Sequence, residues 1–387
     1  MYKASAFLAA ANKDTNFGGE GRYVNVRVGP TSGGGASFPD AQAAQDATVE
    51  KRFFITHRKQ YEIFSIQGDL MARSRGNGNA IAEALKTQTG GARRAFSQRM
   101  SRNIWSNGGG ARGQIAASQN LALSLMTLRS ASDLLGFEVG WQYEFSSDDG
   151  SSASPAGRRG LPDRLTVTGV IRDSTTPQVQ FNAALNTVAG ITVNDFVHER
   201  GSYALAFNGV RGWNPITAPT VGDNFGGLDR SQSDVNRLSG YRLNGGGKPK
   251  EETLIDATVL AHENGLSGNR VYVNSRDFGD LVKEMGAKSI IQVPTREPTI
   301  GFKGLSVDGA TGTVMVVPEQ HVPRGFAWLT DPDDWYLRTA GDCPQVLNED
   351  GVGAFIRSAT DDAYEGRLGA YGNLFNENPG NSIIIAW

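Results

Sequence analysis

The 387-residue chain has one cysteine, four histidines and almost no net charge. Cys343 alone can form neither a disulfide framework nor a cysteine zinc site within one chain, which excludes a small stapled scaffold. An inert, partly buried thiol is expected there. The Asn-x-Ser/Thr sequon is also absent, in keeping with an intracellular origin. With 38 Lys and Arg against 40 Asp and Glu, the chain lacks the basic surplus of a dedicated nucleic-acid binder. The longest apolar runs, Val314 to Val317 and Ser382 to Trp387, fall far short of the roughly 18 residues that span a bilayer. Ala6 to Ala11 is too short and too poorly flanked for a signal peptide. No membrane partner is expected.

Catalytic signatures are missing too. His57, His198, His262 and His321 are scattered, with no pair at metal-ligand spacing. The glycine-rich run Gly108 to Gly113 lacks the lysine of a phosphate loop, Gly247-Lys248 runs into Pro249, and Gly-x-Ser-x-Gly does not occur. The acidic pairs Asp148-Asp149, Asp333-Asp334 and Asp361-Asp362 sit in loop-like contexts without a third ligand nearby and read as solvated turns. No catalytic residue, cofactor or metal site is assigned, and the chain is not expected to be an enzyme.

What the chain has in excess is glycine, 49 residues, nearly twice the usual share of about 7%. At this length it can hold more than one domain, since single cores stop growing near roughly 250–300 residues. Residues 1–51 are rich in Gly, Ala, Ser and Asn and cannot bury enough apolar surface to fold alone, so they are expected to form an N-terminal arm, disordered or draped over something. Residues 52–77 are expected to contain a β-hairpin, with Arg52 to Thr56 as one arm, His57 to Gln60 as its tip and Tyr61 to Ile66 as the other. Because strand side chains alternate, Tyr61 and Ile63 point to one side and Phe64 and Ile66 to the other. Both faces want burial, either on the chain's own core or on another surface.

From Asn79 to Trp105, within the segment 78–112, Ile81, Leu85, Ala92, Phe96, Met100 and Ile104 form one apolar stripe of a long helix. Lys86, Arg93, Arg94, Arg99 and Arg102 occupy its other face, and Gly90-Gly91 marks a place where it can bend. Residues 113–212 read as a small β sandwich or barrel, with a nine-residue strand over Phe137 to Phe145, another around Leu165 to Ile171, and Ser146 to Asp163 as a mobile surface loop. Beyond it, 213–345 mixes helices (Glu251 to Asn264, Ser275 to Met285) with short strands. Ala354 to Phe375 is extended, and Asn378-Pro379-Gly380 turns the chain into a last strand, Ser382 to Ala386.

Charge is unevenly placed. Arg52 to Arg112 carries eleven Lys/Arg against three Asp/Glu, and Asp342 to Trp387 carries seven Asp/Glu against two Arg. Opposite fields on separate segments imply either self-association through complementary patches or neutralisation of the helix by the C-terminal strands within one chain.

Several strings resemble the major capsid proteins of tailed bacteriophages. They are Arg93-Arg94-Ala95-Phe96 through Ile104-Trp105-Ser106-Asn107-Gly108-Gly109-Gly110-Ala111-Arg112, Val273-Asn274-Ser275-Arg276-Asp277-Phe278, Phe302-Lys303-Gly304-Leu305, and Asp362-Ala363-Tyr364-Glu365-Gly366-Arg367-Leu368-Gly369-Ala370-Tyr371-Gly372-Asn373-Leu374. The resemblance covers most of 52–112 and 250–387. It implies an α+β, Hong Kong 97-type capsid fold: the N-terminal arm 1–51, an extended loop at 52–77, a spine helix of the peripheral domain at 78–112, an inserted β-rich domain at 113–212, an axial domain at 213–345, peripheral-domain strands at 346–376 and a return strand at 377–387. It further implies self-assembly into the hexamers and pentamers of an icosahedral virion shell, built in the host cytoplasm around weakly contacted double-stranded DNA. It implies a portal and a decoration protein as partners, and a separate scaffolding protein, since no long charged helical segment precedes the arm. Under this resemblance Phe53, Phe54, Arg58, Lys59, Tyr61, Ile63, Phe64, Arg93 and Arg94 are candidate intersubunit contacts, and Gly90 and Gly91 a candidate hinge of the spine helix. The alternatives are a β-rich phage tail or decoration protein and an encapsulin-like shell.

Overall fold

A computed structural model describes residues 5–69, 78–152, 154–160, 164–172, 175–286, 305–347, 355–358 and 360–387. Its frame is three six-stranded sheets. The first combines β1 (Asn12–Asp14), β4 (Arg58–Gln67), β18 (Trp335–Thr339), β19 (Gln345–Val346), β20 (Phe355–Arg357) and the 14-residue β21 (Ala363–Asn376). The long helix α3 (Gly78–Ile104) packs on β4 and β21. Ala92, Phe96, Met100 and Ile104 are buried as the stripe requires, while the side chains of Ile81 and Leu85 lie outside the described residues. Gly108 and Gly110, at φ of 88° and 86°, turn the chain away after it.

The segment 52–77 differs from expectation. Arg52 to Thr56 and Tyr61 to Ile66 do not pair with each other. β3 (Val49–Thr56) pairs with β2 (Gly21–Gly29) in a two-stranded ribbon, and β4 pairs with β21 over ten registered positions. Only His57 separates the two strands, so the supposed tip, His57 to Gln60, is a crossing from ribbon to sheet. Local sequence marked both strands, but the choice of neighbour depends on edges supplied by residues 21–29 and 363–376. The far end of the ribbon carries the short helix α2 (Phe38–Ala43).

The arm is draped over its own chain. Helix α1 (Ala6–Ala10) buries Phe7 and Leu8 completely, and β1 lies parallel to β18. The Phe7 ring meets Trp105, Tyr272 and Trp335 edge-on at 5.2–5.4 Å. Such aromatic pairs add roughly 0.5–1.5 kcal/mol each to the burial itself.

The second sheet lies between Ala111 and Glu199. It comprises β5 (Ala111–Gln114), β6 (Leu125–Thr127), β7 (Gln142–Ser146), β8 (Leu165–Ile171), β9 (Gln178–Phe181) and β10 (Phe196–Glu199), in the order β5-β10-β7-β8-β9-β6. An antiparallel bridge between Ile115 and Leu128 joins the two ends, with Ala116 donating to the Thr127 carbonyl at 3.0 Å and Arg129 to that of Gln114 at 2.9 Å. The result is a closed antiparallel barrel, filled by Met126, Tyr143, Phe145, Val167, Phe181, Val197 and their neighbours. The nine-residue strand is shorter than its alternation implied. Ala131–Gly136 is a 3₁₀ turn, Gly140 sits at φ 88°, Val139 is exposed, and regular pairing starts at Gln142.

The loop after β7 is more tightly held than expected. Ser147 donates its amide to the Gly157 carbonyl, the Gly157 amide donates to the Tyr203 hydroxyl at 2.9 Å, and that hydroxyl donates to Asp148 at 2.7 Å. Asp149 accepts from Asn107 at 2.6 Å. The first acidic pair is therefore structural, not a solvated turn.

After α4 (Val210–Trp213), the minor pair β11 (Asn224–Phe225) and β12 (Leu228–Asp229), and α5 (Val235–Ser239), the third sheet forms. It contains β13 (Tyr241–Asn244), β14 (Arg270–Asn274), β15 (Leu305–Gly309), β16 (Gly312–Glu319), β17 (Phe326–Thr330) and β22 (Ser382–Ala386), ordered β13-β22-β17-β14-β16-β15. Helices α6 (Lys250–Glu263) and α7 (Ser275–Gly286) pack on it. The last strand matches its predicted span. Within the span 213–345, β18 pairs with β21 in the first sheet. The Phe302 to Gly304 part of one recognised string lies outside the described residues.

Candidate functional site

Strand β4 and helix α3 carry seven of the nine predicted contact residues. Side chains of β4 alternate: Gln60 and Glu62 turn toward α3, where Asn103 donates to Gln60 at 3.0 Å and Arg99 pairs with Glu62. Lys59, Tyr61 and Ile63 face away and are exposed, Ile63 at 60%. Tyr61 leans edge-on against Tyr371 of β21. Arg93 and Arg94 are exposed on α3 and have no ion-pair partner among the described residues. Gly90 and Gly91 lie on the open side of the helix, with nothing within 4 Å of where a Cβ would stand.

Four of the nine predicted contacts are held within the chain. Phe53 is fully buried against Trp213 and Phe225, which removes it as an intersubunit contact. Its strand faces the chain's own core, a fact that depends on tertiary packing. Arg58 donates to the Ala204 carbonyl at 2.8 Å, and burial lowers its pKa. The Phe64 ring covers Gly366, its registered partner, and meets Phe355. Phe54 packs on Tyr23 and is half-buried.

Arg99 joins three elements. It pairs with Glu62 of β4 and Glu199 of β10, and its guanidinium lies 3.8 Å from the centre of the Trp141 ring. Arg112 also reaches Glu199, at 3.2 Å. These charges form the floor of a groove of about 400 Å³ between β4 and the barrel, with Lys59, Tyr61, Ile63, Arg200 and Leu205 among its lining residues. Sequence reasoning found the β4 residues but not the barrel wall, because Arg200 and Leu205 lie in a loop with no periodic signal.

Among the described residues, cations of 52–112 pair with Glu62, Asp133 and Glu199, whereas Asp362, Glu365 and Glu377 pair with Arg357, Arg367 and Arg338. No described ion pair joins the basic segment to the acidic one.

Burial shifts several titratable groups away from their ordinary values. His198 lies fully buried with Nε2 2.7 Å from the Ser146 hydroxyl, and burial lowers its pKa to about 4. Burial likewise pushes the Cys343 thiol up to about 12, as an inert thiol requires. Among the described residues no cluster of His, Cys, Asp and Glu could hold a metal ion, and no helix is long and apolar enough to cross a membrane.

No protein-family model matches the sequence, and no curated protein is significantly similar to it. Its structure does have solved counterparts. A chain of the cyanophage A-1(L) capsid asymmetric unit aligns with a TM-score of 0.52 at 11% identity, over 97% of this chain and 90% of that one. A capsid chain of an empty GTA particle aligns at 0.47 and 10% identity, over 100% and 97%. The holo-SrpI encapsulin complex from Synechococcus elongatus PCC 7942 aligns at 0.44 and 6% identity, over 100% and 89%. The first likeness shows the fold: mixed α+β, of the Hong Kong 97-like capsid type.

Proposed function

We propose that this chain is the major capsid protein of a tailed double-stranded DNA phage, a non-enzymatic subunit that assembles into the hexamers and pentamers of an icosahedral head. The observation that carries this reading is end-to-end likeness to one capsid chain, 97% of this chain against 90% of that one. Shell formation is a geometric function. Many weak contacts, repeated by symmetry, sum to an obligate assembly.

In this reading the β2–β3 ribbon, not 52–77, is the extended loop that overlaps a neighbour, and Lys59, Tyr61, Ile63, Arg93 and Arg94 remain the contact candidates. The third sheet with α6 and α7 forms the axial domain. Gly90 and Gly91 are the hinge of the spine helix. Near-neutral charge suits a wall that contacts packaged DNA weakly, and scaffolding, portal and decoration proteins are the other partners of a head assembled in the host cytoplasm. Negative-stain microscopy of the expressed chain, alone and with its scaffold, tests the proposal. Closed polyhedral shells are expected; tubes, or monomers under every condition, would overturn it.

A further inference from the structure

The tip of the β2–β3 ribbon is an ordered knob with no cover. Ser37 caps α2, its hydroxyl accepting the Asp40 amide at 3.3 Å, and the Ser32 hydroxyl donates to the Ala44 carbonyl at 2.7 Å, tying the ends of the tip together. Among the described residues, every hydrogen bond made by residues 30–48 stays within the tip. None of the α2 residues is buried, and Phe38 is 78% exposed. A capped turn that holds a phenylalanine ring in water is a pre-organised anchor, because little further ordering is needed when the ring is covered.

The groove between β4 and the barrel is its complement in charge and offers exposed apolar side chains at its edge. Tyr61, Ile63 and Leu205 at its edge are 45%, 60% and 57% exposed, and Val139 beside Gly140 is 62% exposed. Its lining holds Lys59, Arg99, Arg112 and Arg200 against Glu62 and Glu199, an excess of two positive charges. Both carboxylates are taken up by Arg99 and Arg112, which leaves the excess on Lys59 and Arg200. The tip carries Asp40 and Asp46 and no Lys or Arg, an excess of two negative charges.

We infer that the groove of one copy receives the ribbon tip of a second copy, with Phe38 seated against Tyr61, Ile63 and Leu205 while Asp40 and Asp46 face Lys59 and Arg200. Knob and groove are different patches of one chain, so the contact is heterologous and runs head to tail. Repeated in one sense, such a contact closes a ring when the rotation between copies closes. The inference rests on the shell reading above and adds to it a specific joint, one wall of which is the inserted barrel.

Cross-linking tests it in assembled particles. Chains carrying both Phe38→Cys and Ile63→Cys, oxidised and run on a denaturing gel, are expected to give a ladder from dimer upward, while either single variant gives monomer; buried Cys343 serves as the internal control. In parallel, Lys59→Glu with Arg200→Glu is expected to lower particle yield at least tenfold, and adding Asp40→Lys with Asp46→Lys to restore it. Particles that form but give no ladder, or a charge reversal without restoration, overturn this joint and leave the shell reading intact. An unmodified chain that never assembles overturns both.

Discussion

The Glu319 carboxylate accepts the Ser5 hydroxyl at 2.8 Å, across 314 positions of sequence. The same oxygen accepts the Phe7 amide at 3.2 Å, so one carboxylate at the end of β16 satisfies the start of α1. Glu319 is 2% exposed, and burial raises its pKa while the bonds from Ser5 and Phe7 hold it down. The N-terminal segment is thus locked by a buried polar contact at one end and by the Phe7 ring at the other.

Removing either lock should loosen the segment. Phe7→Ala is expected to destabilise the subunit by about 3–5 kcal/mol, the range for truncating a large buried aromatic. Glu319→Ala leaves the Ser5 hydroxyl and the Phe7 amide unpaired, at about 1–3 kcal/mol for each stranded group. Chemical denaturation gives both values, and limited proteolysis should cut within residues 5–17 in both variants. Protection equal to that of the unmodified chain would show that the arm is held by something else.

Tyr61 and Phe64, three residues apart on β4, should behave differently. The Phe64 ring covers Gly366 and Phe355, so Phe64→Ala is expected to lower subunit stability by about 3 kcal/mol. Tyr61 is exposed, and Tyr61→Ala should leave the melting temperature within a degree or two while reducing particle yield. Thermal unfolding and particle counts on the two variants separate fold from assembly. Equal melting losses in both would contradict the assignment of faces.

Gly90 and Gly91 have open space where a side chain would stand. Ala at each position should stiffen α3 and stabilise the isolated subunit by up to about 1 kcal/mol per site. A calorimetric melting temperature below that of the unmodified chain would rule this out. If the pair is a hinge, the stiffened particle should also expand more slowly.

His198 predicts the acid response. Its folded pKa of about 4 lies below the ordinary 6.5, because burial outweighs the favourable influence of the Asp148 carbonyl, Glu144 and Asp149, with Arg112 adding to the depression. The neutral ring is the form the fold keeps. Its contribution is complete above pH 6.5 and is lost as pH falls through 4, on the order of 3 kcal/mol in all. Asp334 acts in the opposite sense: raised to about 6 mainly by burial, it contributes most below its ordinary 3.8 and less as pH rises through 6. In His198→Gln the fall in stability between pH 6.5 and 4 should be shallower by close to one proton, with the Asp334 contribution unchanged. Parallel curves for variant and unmodified chain would refute the assignment.

The local elements were legible where the pattern was self-sufficient. The apolar stripe around Phe96 and Met100, the helices that became α6 and α7, and the run Ser382 to Ala386 after Asn378-Pro379-Gly380 are set by side chains within one element. Part of the candidate surface was legible in the same way, since alternation alone places Tyr61 and Ile63 on the face opposite Phe64. The short Trp335 to Thr339 strand was missed because five residues carry too little period, and its burial comes from β1 and β21 on either side.

What the sequence by itself determined is which segments are strand or helix and which face of each is apolar. Only the tertiary structure decided who pairs with whom: β3 with β2 rather than β4, β4 with β21, and Ile115 with Leu128 to close the barrel. The physical reason is that a strand's hydrogen-bonding edges are chemically alike along the chain. Partner choice is therefore set by distant packing, such as Phe53 against Trp213 and Phe225 or Phe7 among Trp105, Tyr272 and Trp335, which no local window contains.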